Sequence, residues 1–227
     1  AYASWRWIEQ PFRHGAPAGR MRLFLGTAAL ATLAFVFAGA AHFTGGFPQR
    51  FPAVPRAYAA AALDTNPRRA ECDRVAPERI RAGEACLIGD PAAPPSCVFI
   101  GDSFGDATMP GMDEAARRAG RRGYALIHSG CFPLAGVEQA DPACRAFTDA
   151  AVDFVRSRPE LTDAILIARW TSALLGNRFG QVHGGGWFIT DAQSAGPSYE
   201  ENTRVFRRGL SRMVEALAPA RVTAFAF

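Results

Sequence analysis

Apolar positions along this chain fall into three kinds of pattern, each predicting a different element. The first is unbroken. Residues 23–41 read Leu-Phe-Leu-Gly-Thr-Ala-Ala-Leu-Ala-Thr-Leu-Ala-Phe-Val-Phe-Ala-Gly-Ala-Ala, 19 residues without a charge, close to the ~20 a helix needs to cross a hydrocarbon core. This predicts a transmembrane helix over 23–41. A cleavable signal peptide is the competing reading. Against it, an aromatic and polar stretch precedes the run, and no compelling Ala-x-Ala site follows beyond Ala38-Gly-Ala40. Arg6, Arg13, Arg20 and Arg22 lie before the run and the next arginine is Arg50, so the positive-inside rule puts residues 1–22 in the cytoplasm and the rest outside.

The second pattern is a set of short runs rich in β-favouring side chains: Cys97-Val-Phe-Ile100, Tyr124-Ala-Leu-Ile-His128, Asp163-Ala-Ile-Leu-Ile-Ala168, and an alternation from Arg221 to Phe227. The third has helical spacing. Met112, Ala115, Ala116 and Ala119 form one face, in a helix expected to open at Pro110. Phe147, Ala151, Phe154 and Val155 form a second. Phe206, Leu210, Met213, Val214 and Leu217 form a third, behind the capping box Ser198-Tyr-Glu-Glu201. Strands alternating with helices predict an α/β fold with a parallel sheet, and residues 96–227 fit a three-layer sandwich. Between span and sandwich, residues 42–95 read as an extracytoplasmic linker. Pro48, Pro52 and Pro55 mark its first part, a short Ala-rich helix is expected over 56–63, and 64–95 look polar and loop-like. A Gly-rich excursion over 176–196, with Phe179, Trp187 and Phe188, is expected as a hairpin over the site.

Composition narrows the classes. Of 227 residues 49% are hydrophobic, enough for a core and against a disordered chain. All 25 basic residues are arginine, but the net charge of +4 is too small and scattered to argue for nucleic acid. Four cysteines form two pairs, Cys72/Cys86 and Cys131/Cys144, each closing a short loop. With no C-x-x-C and no Cys/His spacing suited to zinc, disulfides are favoured over metal in an oxidising compartment. Cys97 is left over as a small hydrophobe at a strand start.

The candidate chemistry sits where the Cys97 strand runs into Gly101-Asp102-Ser103. A serine at the carboxyl end of a parallel strand is well placed as a nucleophile, provided a base takes its proton. Asp102 is expected mainly to organise the turn. The loops after the next two strands, with Gly130 and with Arg169, reach the same sheet edge. Arg169 ends an apolar strand, so it needs a partner or faces the site. His128 is expected inside its strand as a packed core histidine, and His14, His42 and His183 are not placed to serve as base.

Val98-Phe-Ile-Gly-Asp-Ser103 resembles the first sequence block of the SGNH (GDSL-like) hydrolases. Trp7-Ile-Glu-Gln-Pro-Phe-Arg13 is similar to the end of an acyltransferase-3 membrane domain. The single span, Ile165-Leu-Ile-Ala-Arg-Trp170, the two cysteine pairs and Ser129-Gly-Cys-Phe-Pro133 fit the SGNH domain fused to such acyltransferases. The resemblance implies a flavodoxin-like three-layer SGNH domain over 96–227 behind the end of a membrane acyltransferase domain at 1–22. It implies a bacterial inner-membrane O-acyltransferase whose extracytoplasmic domain passes an acyl group, carried as an ester on Ser103, to a hydroxyl of a cell-surface glycan such as lipopolysaccharide, exopolysaccharide or peptidoglycan. Acetyl-CoA would be the donor, used by the membrane domain, with no bound cofactor. The Ser103 and Gly130 backbone N–H groups would contribute to the oxyanion hole, with Asp102 and Arg169 lining the site. Two departures stand out: Phe104 follows the serine where the fused domains often have histidine, and Arg169-Trp170 replaces the usual Gly-x-Asn-Asp. The family's Asp-x-x-His does not occur after residue 198. The chain, lacking an initial Met and stopping within a strand, is therefore expected to be a piece of a longer one, truncated before its general base. A deacylating esterase with the same triad and a non-catalytic anchored glycan-binding domain are the alternatives.

Overall fold

The computed structural model describes residues 19–61, 64–176 and 187–225, with Tyr2, Trp5, Arg6 and Gln10 before them. The Trp7–Arg13 motif apart from Gln10, His14, and residues 177–186 of the Gly-rich excursion, with Phe179 and His183, lie outside the described residues. The chain divides into two compact units, residues 1–64 and 65–227.

In the first unit, helix α1 (Arg20–Phe43) contains the apolar run and extends beyond it at both ends. Its stretch Phe24–Phe43 is long and apolar enough to cross a membrane by length and composition, and none of it is buried in protein. Leu30, Leu33 and Phe35 are all exposed, so the helix is apolar all round, as a span is. Helix α2 (Ala53–Ala61) starts before the expected 56.

The second unit opens with two short helices, α3 (Arg69–Cys72) and α4 (Pro77–Arg81). Strands β1 (Cys86–Gly89) and β2 (Pro95–Gly101) follow, then α5 (Ser103–Arg118), β3 (Arg122–Ile127), α6 (Ala143–Arg156), β4 (Asp163–Ile167), α7 (Trp170–Leu175), α8 (Tyr199–Ala216) and β5 (Arg221–Phe225). The sheet order is β1-β3-β2-β4-β5. The four strands expected from the sequence are parallel, whereas β1 adds an antiparallel edge within the stretch expected to be polar loop. Only four residues long, β1 carries too little alternation to announce itself. It is fastened by a disulfide between Cys86 and Cys72. The compact unit thus takes in much of the stretch read as linker, and Ile80 of α4 is fully buried in its core.

Alternation along the central strands sorts the core into two layers. Val98, Ile100, Leu126, Ala164 and Leu166 point to one face, packed with Phe147, Phe154, Val205 and Met213 of α6 and α8. Cys97, Phe99, Ala125, Ile127 and Ile167 point to the other, packed with Met109 of α5 and with the Cys72–Cys86 bridge. Strands buried on both faces between helices make a three-layer α/β/α sandwich.

Two local expectations change. Helix α5 starts at Ser103, not Pro110: the Asp102 side chain caps it, and Pro110 sits within the helix. His128 lies just past the end of β3 rather than inside it, although it is buried as expected.

Candidate functional site

Parallel pairing brings three strand ends together, because Gly101 of β2 pairs with Ile127 of β3 on one side and Ile167 of β4 on the other. The residues immediately beyond are Asp102 and Ser103, His128 to Gly130, and Arg169. Gly101 is required by the closeness of this junction, since a Cβ there would run into the Ile167 carbonyl oxygen and lie 3.1 Å from the Gly105 Cα.

Asp102 organises the junction. It is 3% exposed; its Oδ1 accepts the Phe104 N–H at 2.7 Å and its Oδ2 accepts the Arg169 N–H at 2.9 Å. Burial pushes its carboxyl above the usual range, while N–H groups of Arg169, Phe104 and Gly105 pull the other way. The second and third N–H groups of α5 are thereby engaged. The first, that of Ser103, and the Ser103 hydroxyl make no hydrogen bond among the described residues, and Ser103 is exposed. An uncommitted N–H at a helix N-terminus suits developing negative charge.

The Ser129–Gly130 turn is held from behind by residues that sequence reasoning missed. The Ser129 N–H donates to Asp73 Oδ1 at 2.7 Å, and Arg74 Nη2 donates to the Ser129 carbonyl at 3.2 Å. A trans peptide is planar with C=O and N–H antiparallel, so turning the Ser129 carbonyl toward Arg74 turns the Gly130 N–H the opposite way. Gly130 has φ +94, where only glycine is comfortable, and a Cβ would meet nothing within 4 Å. The Cys131–Cys144 disulfide fixes the next residue. Asp106, 3% exposed on α5, receives Asn66 Nδ2 at 2.7 Å and lies 3.4 Å from Arg69, which reaches Asp73 at 3.8 Å. The only sequence signal was an Asn-Pro-Arg-Arg cluster beside Cys72, which resembles any polar turn.

His128 Nδ1 lies 3.0 Å from Cys131 Sγ and its ring packs 5.2 Å from Phe147, and no hydrogen bond joins it to Ser103 among the described residues. Arg169 holds Asp102 through its backbone. Of possible metal ligands, Glu71, Cys72 and Cys86 come together, but both sulfurs are consumed by the disulfide and offer no thiolate. Beside Gly130 opens a cleft of about 230 Å³, lined by Arg74, Phe132, Asp141 and Trp187 among others.

A serine at the start of a helix, at the carboxyl edge of a parallel sheet and next to the Gly130 turn at the neighbouring strand end, is a geometry that suits nucleophilic acyl chemistry on an α/β fold. Residues 71–225 match the family described as SGNH domain (fused to AT3 domains), and the chain belongs to that family. The match does not include residues 1–22, where the sequence had suggested the end of the acyltransferase membrane domain. No curated protein and no solved structure matches the chain.

Proposed function

We propose that this chain is the extracytoplasmic acyl-transferring part of a bacterial inner-membrane O-acyltransferase, anchored by α1, that acylates hydroxyls of a cell-surface glycan through Ser103. The observation that carries the reading is the Asp102-capped start of α5. It leaves both the hydroxyl and the N–H of Ser103 uncommitted at an edge shared with Gly130. In the first half-reaction Ser103 Oγ attacks the acyl carbonyl, its proton passes to a general base, and the carrier leaves. In the second a glycan hydroxyl attacks the Ser103 ester, loses its proton, and the serine is reprotonated. The Ser103 and Gly130 N–H groups stabilise the oxyanion in both. The membrane acyltransferase domain supplies the acetyl group from acetyl-CoA, and the general base is a histidine of an Asp-x-x-His segment outside 1–227. The disulfides Cys72–Cys86 and Cys131–Cys144 support an oxidising location for the unit.

The test is Ser103→Ala in the full-length protein in its host, with ester content of the purified surface glycan as readout. The reading expects the esters to vanish. Unchanged esters would sink it, and more esters in the variant would mark Ser103 as the nucleophile of a deacylating esterase instead.

A further inference from the structure

The cleft beside Gly130 has one exposed aromatic residue, and the buried Asn202 and Asp191 hold the segment that carries it. Trp187 is 41% exposed. Its carbonyl accepts Asn202 Nδ2 at 2.9 Å, while Asn202 Oδ1 accepts the Ile189 N–H at 3.1 Å, and Asn202 itself is fully buried. Thr190 is tied to Glu138 by two backbone hydrogen bonds of 2.7 and 3.0 Å, and Asp191 is clamped by Arg208 and Arg212. The residue Trp187 packs on is equally fixed: Gln139 bonds both the N–H and the carbonyl of Phe132 at 2.8 Å, and the disulfide pins Cys131. The two rings pack against each other, tilted by 50° with centroids 6.3 Å apart, so the buried Phe132 backs the exposed Trp187 at one corner of the cleft. Rigid placement of an exposed aromatic side chain is costly for stability alone and is what pre-organised binding requires.

The cleft's contents point to the ligand. About 230 Å³ is smaller than the pockets of roughly 300–1,000 Å³ that hold drug-sized molecules, which limits it to about one ring. Aromatic rings present an electron-rich face to the C–H groups of a saturated ring. At the rim stand Arg74, with guanidinium donors beyond the one spent on Ser129, and Asp141, an acceptor whose Oδ1 also caps the Ala143 N–H at 2.9 Å. A pyranose has the matching chemistry, with apolar C–H faces and an equator of hydroxyls that both donate and accept. A lipid chain would leave the arginine and the carboxylate unsatisfied.

We propose that the cleft beside the Phe132–Trp187 pair is the acceptor subsite, binding one pyranose ring of the glycan against the exposed part of Trp187 so that a hydroxyl is delivered past Gly130 to the acyl group on Ser103. This rests on the acyl-transfer reading of Ser103, and the two are separable by which half-reaction fails. In the full-length membrane protein, Trp187→Ala is expected to lower glycan esters at least tenfold while the Ser103 ester, read by peptide mass spectrometry, persists or accumulates. Trp187→Phe is expected to retain most of the transfer and Trp187→Leu little of it. Asp141→Asn keeps the Ala143 cap and is expected to lower transfer three- to tenfold, again with the Ser103 ester intact; it serves if the tryptophan variants fail to fold. Wild-type glycan esters in Trp187→Ala, or in Asp141→Asn, would overturn the proposal. So would a parallel loss of the Ser103 ester in a folded Trp187→Ala protein, and so would full function of Trp187→Leu, which would indicate an apolar chain. Loss of the esters in Trp187→Ala but not in Ser103→Ala would instead condemn the acyl-enzyme and leave the subsite standing.

Discussion

The carboxylate of Asp102 accepts the backbone N–H of Arg169 at 2.9 Å across the gap between β2 and β4. With its other oxygen it caps the helix that begins at Ser103. One buried side chain therefore sets the direction of α5 and the exit of the neighbouring strand. Asp102 acts as a positioning residue, and its value lies in two acceptors with fixed spacing.

Replacing Asp102 tests this. Asp102→Ala removes a helix cap, worth about 0.5–2 kcal/mol, and the part-buried hydrogen bond from the Arg169 N–H, worth about 0.5–1.5 kcal/mol. Asp102→Asn keeps one acceptor but turns an NH₂ group toward one of the two N–H donors. Thermal unfolding is expected to rank wild type above Asn and Asn above Ala, with acylation falling in both variants. A destabilised Ala variant with normal acylation would mean that the helix start does not depend on the cap.

Arg74 makes a different prediction, because it acts on a peptide plane rather than on a fold. Arg74→Ala frees the Ser129 carbonyl and with it the direction of the Gly130 N–H. Loss of one oxyanion donor costs on the order of 10²–10³ in rate, and misdirecting one is expected to cost roughly 10–10². With p-nitrophenyl acetate as donor, the rate of Ser103 acylation should fall while KM changes little, and Arg74→Lys should restore part of it. A rise in KM alone would move Arg74 out of the oxyanion geometry and into substrate binding.

How much of this was legible in the sequence follows from the range of each signal. The central strands and the three helix faces are periodic over enough residues to be read directly, and Gly-Asp-Ser marks the end of β2 because only glycine fits beneath the Ile167 carbonyl. The start of α5 was misplaced because Pro110 is a strong helix-start signal, while the Asp102 cap that prevails depends partly on Arg169, far away in sequence. Asp73, Arg74, Asn66 and Asp106 were invisible for the same reason. They are ordinary polar residues until the Cys72–Cys86 bridge and β1 bring them against the site.

The bridge itself can be removed. Cys72 and Cys86 are separated by 14 residues, and closing a loop of that size stabilises by about 3 kcal/mol on chain-entropy grounds. Cys72→Ala/Cys86→Ala is expected to unfold at lower denaturant by roughly that amount. Because Asp73 and Arg74 lie within the closed loop, Ser103 acylation should fall even where the double variant is still fully folded. The equivalent change at Cys131 and Cys144, separated by 13 residues, should loosen Gly130 from the other side. Wild-type acylation by a folded Cys72→Ala/Cys86→Ala protein would show that the clamp on Ser129 stands without the bridge.

Acid should release the wall that carries Trp187. The Arg208 guanidinium bonds Asp191 through two nitrogens at 2.7 and 2.8 Å, against the opposing effect of burial, and Arg212 adds a third contact at 3.0 Å. Together they hold the Asp191 carboxyl well below the usual carboxylate range. A carboxyl whose folded pKa is depressed binds fewer protons folded than unfolded. Its stabilisation is therefore complete above the unfolded value of about 3.9 and is lost as pH falls toward the folded one. Asp191→Asn lacks this contribution at every pH. Its melting temperature should lie below wild type at pH 7, with the gap narrowing as pH falls below about 4; a constant gap down to pH 2.5 would remove Asp191 as the source. Glu201, which shares Arg208 at 2.8 Å, titrates in both proteins and so cancels to first order in the comparison. Because Asp191 anchors the segment bearing Trp187, the same substitution at neutral pH is expected to lower transfer to the glycan more than formation of the Ser103 ester.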